Sequence, residues 1–463
     1  MPPRRKDRVR RASPTVELPE LVIAGRAFVR GKLQTLEVGI DADGWIVRLG
    51  KDLRGQERHE VGEAILIPSA TDLHVHFREP GPSSGSETIR SGTTQAALGG
   101  TALVGEMPNT VPPVTHVEDV EDKAGLVRGR AAVDVLLYAA LTPRTRVASV
   151  SRVAGAFKYY MSPTTGIDTV AEPSGLREQF DAIAASGLAL SVHAESPRRF
   201  GPELSALDPV GWNETRPPIS ESEAVDELLQ AVPSSLRLHV AHVTEASVAE
   251  RLRDAGHSFE ATPHHLLLSA RSGTDARYKV NPPLRADRDR IALWEAFRAG
   301  NIPIVASDHA PHDLPAKSLP FPWSPSGMPG VGTMVPLLLA AVRRGDLELE
   351  RLIAAACDRP ARWLGAPHGR IAVGHRADLL VIDFRAVSEI SARKMATPCG
   401  WTAFEGWKGI FPKEHFFHGR RIVDDGEYVG RHDGQVVRPE YAPGGRPVRG
   451  PASRADETPG TSH

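Results

Sequence analysis

ILIPSATDLHVHF, residues 65–77, is the stretch from which the rest of the chain can be read. It is an apolar, β-prone run, and His74 and His76 stand two apart in it, so on a strand both side chains leave from one face. Comparable runs recur at 101–107, 133–141, 156–161, 188–195, 236–243, 258–265 and 302–310. The segments between them carry helical patterning. Several close on a glycine just before the next run, at Gly187, Gly256 and Gly300, where a left-handed cap lets the chain turn back. Strands alternating with helices predict a parallel sheet. Eight of them in this length fit a closed (β/α)8 barrel of the TIM type better than an open sheet.

The flanks differ. Residues 36–40 and 45–49 on one side, and 377–384 and 415–423 on the other, are short alternating runs that predict a small β-sandwich domain assembled from both chain ends. The expected division is a flexible basic N-terminus at 1–17, the small β domain at 18–64 and 370–440, the barrel at 65–369 and a flexible tail at 441–463. Composition narrows the function. Across 463 residues, 56 Lys and Arg face 57 Asp and Glu, so no net field favours nucleic acid or an anionic membrane. No run of about 18 apolar residues predicts a membrane span, and the basic start lacks the apolar stretch of a secretory signal. Two cysteines, Cys357 and Cys399, build no disulfide framework and point to a reducing compartment, the cytoplasm. A small-molecule substrate is the expected partner.

In such a barrel chemistry collects at the C-terminal ends of the strands. Those ends hold His74 and His76, Asn109, Lys158, His193, His242 and Asp308, followed by His312. A lone His-x-His can be two hydrogen-bonded histidines. Joined by His193, His242 and Asp308 at matching strand ends, it reads as a metal site, and imidazole with carboxylate and no nearby thiolate favours zinc. Lys158 can be a salt-bridged lysine. Alternatively, desolvation and nearby cations lower its pKa so that the neutral amine takes up carbon dioxide, giving a carbamate whose two oxygens can bridge two metals. Arg78 and His312 beside the ligands, with the amides of Asn109 and Asn281, suit an anionic substrate with amide edges. His264 and His265 in TPHH read as a buried pair outside the ligand set.

Several motifs together resemble the dihydroorotases of the amidohydrolase superfamily: HVHFREPG (74–81), MPNT (107–110), FKYYMSPTTG (157–166), VHAE (192–195), VAHVT (240–244), KVNPPLR (279–285) and SDHAPH (307–312). The resemblance runs from about residue 21 to 437. It implies two Zn2+ per subunit, one held by His74, His76 and Asp308, the other by His193 and His242, with carbamylated Lys158 between them. It further implies that His76, Arg78, Asn109, Asn281, His312, Pro329 and Gly330 hold the substrate. Asp308 becomes the catalytic residue, a general base turned general acid, in the reversible hydrolysis of (S)-dihydroorotate to N-carbamoyl-L-aspartate, a step of pyrimidine biosynthesis. Lysine rather than aspartate at the bridging position resembles the archaeal subgroup. A homodimer and an association with aspartate transcarbamoylase are further implications. The alternatives are another cyclic amidase, an allantoinase or a dihydropyrimidinase/hydantoinase, and a non-catalytic scaffold for the transcarbamoylase.

Overall fold

The computed structural model describes residues 18–168 and 170–439. The expected flexible ends, 1–17 and 441–463, lie outside the described residues. Eight parallel strands stand in sequence order around one ring: β1 (Ala70–Val75), β2 (Thr101–Glu106), β3 (Asp134–Ala140), β4 (Ala156–Tyr160), β5 (Ala189–His193), β6 (Arg237–Val240), β7 (Ser258–Ala261) and β8 (Ile304–Val305). Neighbours are paired in parallel register throughout, as in Lys158 opposite Ser191 and Val240 opposite Val192. The ring closes between its last and first strands by a bridge from Val75 to His309, with the His76 amide donating to the His309 carbonyl at 2.7 Å. Asp72 braces the same seam, since its Oδ1 accepts from the Ser307 amide at 2.9 Å and the His74 amide at 3.2 Å.

The helices cover the outside. Ile89–Gly99 starts on a capping box at Thr88 and ends on left-handed Gly100, so both ends have partners for their free backbone groups. Its Gly92 lies against Phe77: a Cβ there would meet the Phe77 ring at 2.2 Å, so only glycine lets the helix settle beside Arg78's neighbour. The helix Arg177–Ser186 ends on Gly187 at φ 75°, the left-handed stop expected from its position.

One boundary differs from the strand pattern. Residues 65–68 continue a strand that runs Glu57–Pro68 and pair with Leu379–Ile382, so the apolar run at 65–77 serves two sheets. Pro68, with no N–H to offer, ends that ladder, and the chain then turns into β1. The strands from both chain ends form one eight-stranded sheet in the order Glu427–Tyr428, Arg420–Asp424, Glu414–Phe417, Leu379–Ile382, Glu57–Pro68, Leu21–Val29, Lys32–Ile40, Ile46–Gly50. Its alternate residues Ile23, Val38, Leu66, Leu379, Val381 and Phe416 pack as one apolar cluster. Fully burying such side chains stabilises by about 1.5–3 kcal/mol each. A short strand at Val436–Val437 pairs with Val135 and Leu136 of β3.

Candidate active site

The strand ends converge on a cavity lined by His74, His76, Arg78, Asn109, Tyr160, His193, His242, Asn281 and Asp308 among others. His74 Nε2 lies 3.4 Å and His76 Nε2 3.2 Å from Asp308 Oδ1, so two imidazoles and a carboxylate share one focus. Facing them, His193 Nδ1 and His242 Nε2 are 2.9 Å apart. Lys158 sits beneath the wall, wholly buried, its Nζ without a hydrogen-bond partner, and His242 Nδ1 is likewise unpartnered.

The ring faces are chosen by carboxylates behind them. Glu260 takes His74 Nδ1 at 2.8 Å and His239 Nε2 at 2.9 Å, leaving His74 Nε2 for the focus. Glu195 takes His193 Nε2 at 2.9 Å and is itself gripped by Arg216 at 2.5 Å, which overcomes burial and holds its carboxyl well below the usual range. Such outer partners set tautomer and aim. His76 Nδ1 meets Asn109 Oδ1 at 2.6 Å.

Burial, joined by the charge of Lys158 and neighbouring cations, pushes His74, His76 and His242 well below the ordinary imidazole range. Burial also drives the Lys158 amine down and the Asp308 carboxyl up. Burial disfavours the charged form of each group; a divalent cation at the focus would keep the imidazoles neutral and favour the ionised Asp308 carboxylate. The donor set fits such a cation: neutral imidazole nitrogens and a carboxylate converge, with no thiolate present. Arg78, at 6% exposure, makes no ion pair with any carboxylate among the described residues; its Nε donates to the Pro311 carbonyl at 3.0 Å, and an NH2 lies 3.1 Å from His312 Nε2. Arg78, His242 and Asp308 all hold positive φ, at 61°, 39° and 44°, and backbone strain of this kind collects at functional sites.

The expected residues do not all stand at the wall. His312 is behind Arg78, its Nε2 3.0 Å from the Ser326 carbonyl. Pro329 and Gly330, expected beside the substrate, are buried and do not line the cavity. The backbone bridge from His309 to Met328 and the bond from the Gly330 amide to His309 Nδ1 at 3.1 Å draw that segment under the rim, and Ser326 faces the cavity instead. His264 and His265 are buried beside each other, His265 Nε2 donating to the Pro282 carbonyl at 3.0 Å.

Several contributors escaped the motif reading. Glu260 carried a signal, an acid inside a buried strand run, which calls for a partner. So did Glu106 at the end of β2, which accepts from the Phe77 amide at 2.9 Å and pairs with buried Lys123 at 2.8 Å. Removing Lys123 would strand that carboxylate, at about 3–5 kcal/mol. Tyr160, whose hydroxyl is buried and unpartnered at the cavity wall, carried none.

Residues 65–411 match the model of the amidohydrolase family. A curated dihydroorotase of Halobacterium salinarum is 35% identical over 382 residues, 81% of this chain and 89% of that protein. Another, of Methanosarcina acetivorans, is 32% identical over 433 residues, covering 88% and 92%. Among solved structures, an L-hydantoinase from Arthrobacter aurescens superposes with a TM-score of 0.85 at 25% identity, over 91% of this chain and 100% of that one. A dihydropyrimidinase from Brevibacillus agri gives 0.82 at 24% identity, a likeness of fold, with 91% and 99% covered. With matches of this extent on a barrel whose strand ends carry the ligand cluster, the chain belongs to the amidohydrolase family, among its dihydroorotases.

Proposed function

We propose that the chain catalyses the reversible hydrolysis of (S)-dihydroorotate to N-carbamoyl-L-aspartate, a step of pyrimidine biosynthesis. The observation that carries this reading is Arg78, a buried guanidinium at the wall of the ligand-lined cavity that makes no ion pair with a carboxylate among the described residues. A buried cation of this kind is costly unless an anion arrives to pair with it, and the substrate's carboxylate is such an anion.

The neighbouring amides support the same polarity. Asn109 spends its Oδ1 on His76 and Asn281 spends its Oδ1 on Trp212 Nε1 at 3.1 Å. The Asn109 NH2 group donates to Thr164 Oγ1 at 3.2 Å, on the same wall, and the Asn281 NH2 group is left for the substrate. With His312 donating its proton to the Ser326 carbonyl, Arg78 keeps an NH2 free for the carboxylate. The wall thus offers donors to an acceptor-rich ring.

His74, His76 and Asp308 would hold one metal ion, His193 and His242 a second, and Lys158, as its carbamate, the space between; zinc is the ion the donors favour. Metal ions bound there supply Lewis acidity, polarising the ring amide carbonyl and making water nucleophilic near neutral pH. Asp308 takes the proton from the attacking water and delivers it to the departing amide nitrogen, and in ring closure it acts in reverse. Arg78 and Asn109 fix the ring by its carboxylate so that the scissile amide lies over the cluster. The same reading places the enzyme in the cytoplasm, in keeping with two free, buried cysteines, as a homodimer able to meet aspartate transcarbamoylase.

The test is turnover of dihydroorotate, dihydrouracil, hydantoin and allantoin by one purified sample whose metal content is also measured. Dihydroorotate is expected to be preferred, with carbamoyl aspartate cyclised in reverse. Preference for an uncharged ring would replace this reading with that of another cyclic amidase.

A further inference from the structure

The opposite end of the barrel holds a second convergence of histidine and carboxylate, and nothing in the reaction uses it. Asp134 opens β3 at the barrel floor, and along that strand Leu136 and Tyr138, on the same face, pack inside the barrel. Toward Asp134 come His368, from the segment after the last helix, and His418, from the turn between the strands Glu414–Phe417 and Arg420–Asp424 of the small sheet. His418 Nε2 lies 3.0 Å and His368 Nε2 3.6 Å from the same oxygen, Asp134 Oδ2. Behind them stands Asp378, its Oδ2 2.7 Å from His368 Nδ1 and its Oδ1 accepting from the His418 amide at 2.8 Å. Asp134 Oδ1 is occupied separately by the Gln435 amide at 2.8 Å.

Two features favour a cation over a plain hydrogen-bonded knot. First, ligands on one tetrahedral zinc, with bonds of about 2.0–2.2 Å, stand about 3.3–3.5 Å apart, and the two separations around Asp134 Oδ2 bracket that range. The longer one is no hydrogen bond. Second, His368 and Asp378, with side chains 3% and 1% exposed, meet closely yet outside hydrogen-bond geometry, so His368 Nδ1 and Asp378 Oδ2 are both unsatisfied. An ion on His368 Nε2 would hold the ring and direct its Nδ1–H at Asp378, the carboxylate–histidine–metal arrangement. Charge agrees: two carboxylates, two neutral imidazoles and one divalent ion sum to zero.

We propose that Asp134, His368 and His418 form a third metal site, a zinc-type clamp separate from the catalytic cavity, with Asp378 positioning His368. It would pin together a barrel strand, the segment leaving the last helix and the small sheet, three pieces far apart in sequence.

The test removes the catalytic ions. His74→Asn/His76→Asn/His193→Asn/His242→Asn protein is dialysed against a chelator-buffered zinc solution too dilute to load adventitious sites, and bound zinc is counted. One retained equivalent per chain is expected, lost when His368→Asn and His418→Asn are added; in the otherwise native enzyme those two changes leave dihydroorotate turnover unaltered but lower the melting temperature. No retained zinc, or retained zinc indifferent to these two changes, overturns the proposal. Asp378→Asn removes no ligand and serves where the double variant does not fold: it is expected to weaken the retained zinc by about 10- to 100-fold, and unaltered affinity overturns the proposal as well. Because the count is made with the catalytic ligands absent, its outcome is independent of the substrate assignment.

Discussion

At the mouth of the barrel and at its floor the same two side-chain types gather, and they are poised in opposite ways. At the mouth, burial and crowding cations hold His74, His76 and His242 far below the ordinary range and burial lifts Asp308. At the floor opposite charges face each other: Asp134 outweighs burial to raise the His418 pKa, and His368 outweighs burial to depress Asp378. The difference lies in the count of charges. Four imidazoles, Lys158 and Arg78 outnumber the acids at the mouth, whereas two carboxylates meet two histidines at the floor. At the mouth the unpaired Arg78 suits an anionic substrate, while neutral imidazoles and Asp308 offer lone pairs to metal ions. At the floor carboxylates and imidazoles match in number, which suits a structural role such as the clamp proposed above.

The comparison breaks most visibly at Asp308. Asp308→Asn is expected to lower turnover in both directions by ~10³-fold while circular dichroism stays native. Near-native activity in that variant would remove the proton-shuttling role. Lys158→Ala should lose metal and activity together, by elemental analysis and assay on one sample, and short carboxylic acids should restore part of both. Carbonyl-carbon NMR after growth in labelled bicarbonate is expected to show the carbamate; a free amine in active, metal-loaded enzyme would assign the bridge elsewhere.

Smaller effects sharpen the contrast. Arg78→Ala should cost dihydroorotate kcat/KM about 1.5–3 kcal/mol, the worth of a charged hydrogen bond, and alter dihydrouracil hydrolysis far less. Glu260→Gln, which loosens the aim of His74 without touching substrate, should weaken metal binding by about 10- to 100-fold, read by competition with a chelator. The smallest effect concerns the floor in metal-stripped protein, where His418 faces Asp134, Asp378, His368 and Arg376. Its pKa is raised by folding, so its contribution is present below the ordinary imidazole range and lost as pH rises through the raised value. With the clamp loaded the sign reverses, because protons displace the ion as pH falls. Melting temperature against pH, with and without chelator, separates the two.

What a linear reading could reach is visible residue by residue. His74 and His76 declare a shared face through their spacing, and Gly187 declares a helix end, since both depend on backbone geometry a few residues long. Glu260 looks like an oddity in a strand until ring closure brings β7 within two strands of β1 and of His74, 186 positions away. Pro329 and Gly330 miss the wall because a bridge between His309 and Met328 sets their depth.

The sequence by itself determined the eight-strand rhythm, the glycine stops and the identity of the groups at the strand ends, because periodicity and turn chemistry are local. Tertiary structure alone decided which nitrogen of each histidine faces the cavity, that Arg78 makes no ion pair with a carboxylate among the described residues, and that Asp134, His368, His418 and Asp378 meet at all. Those outcomes depend on ring closure and on strand register between the two chain ends. A one-residue slip would turn the side chains of a strand to its other face, and only the packed molecule selects the register.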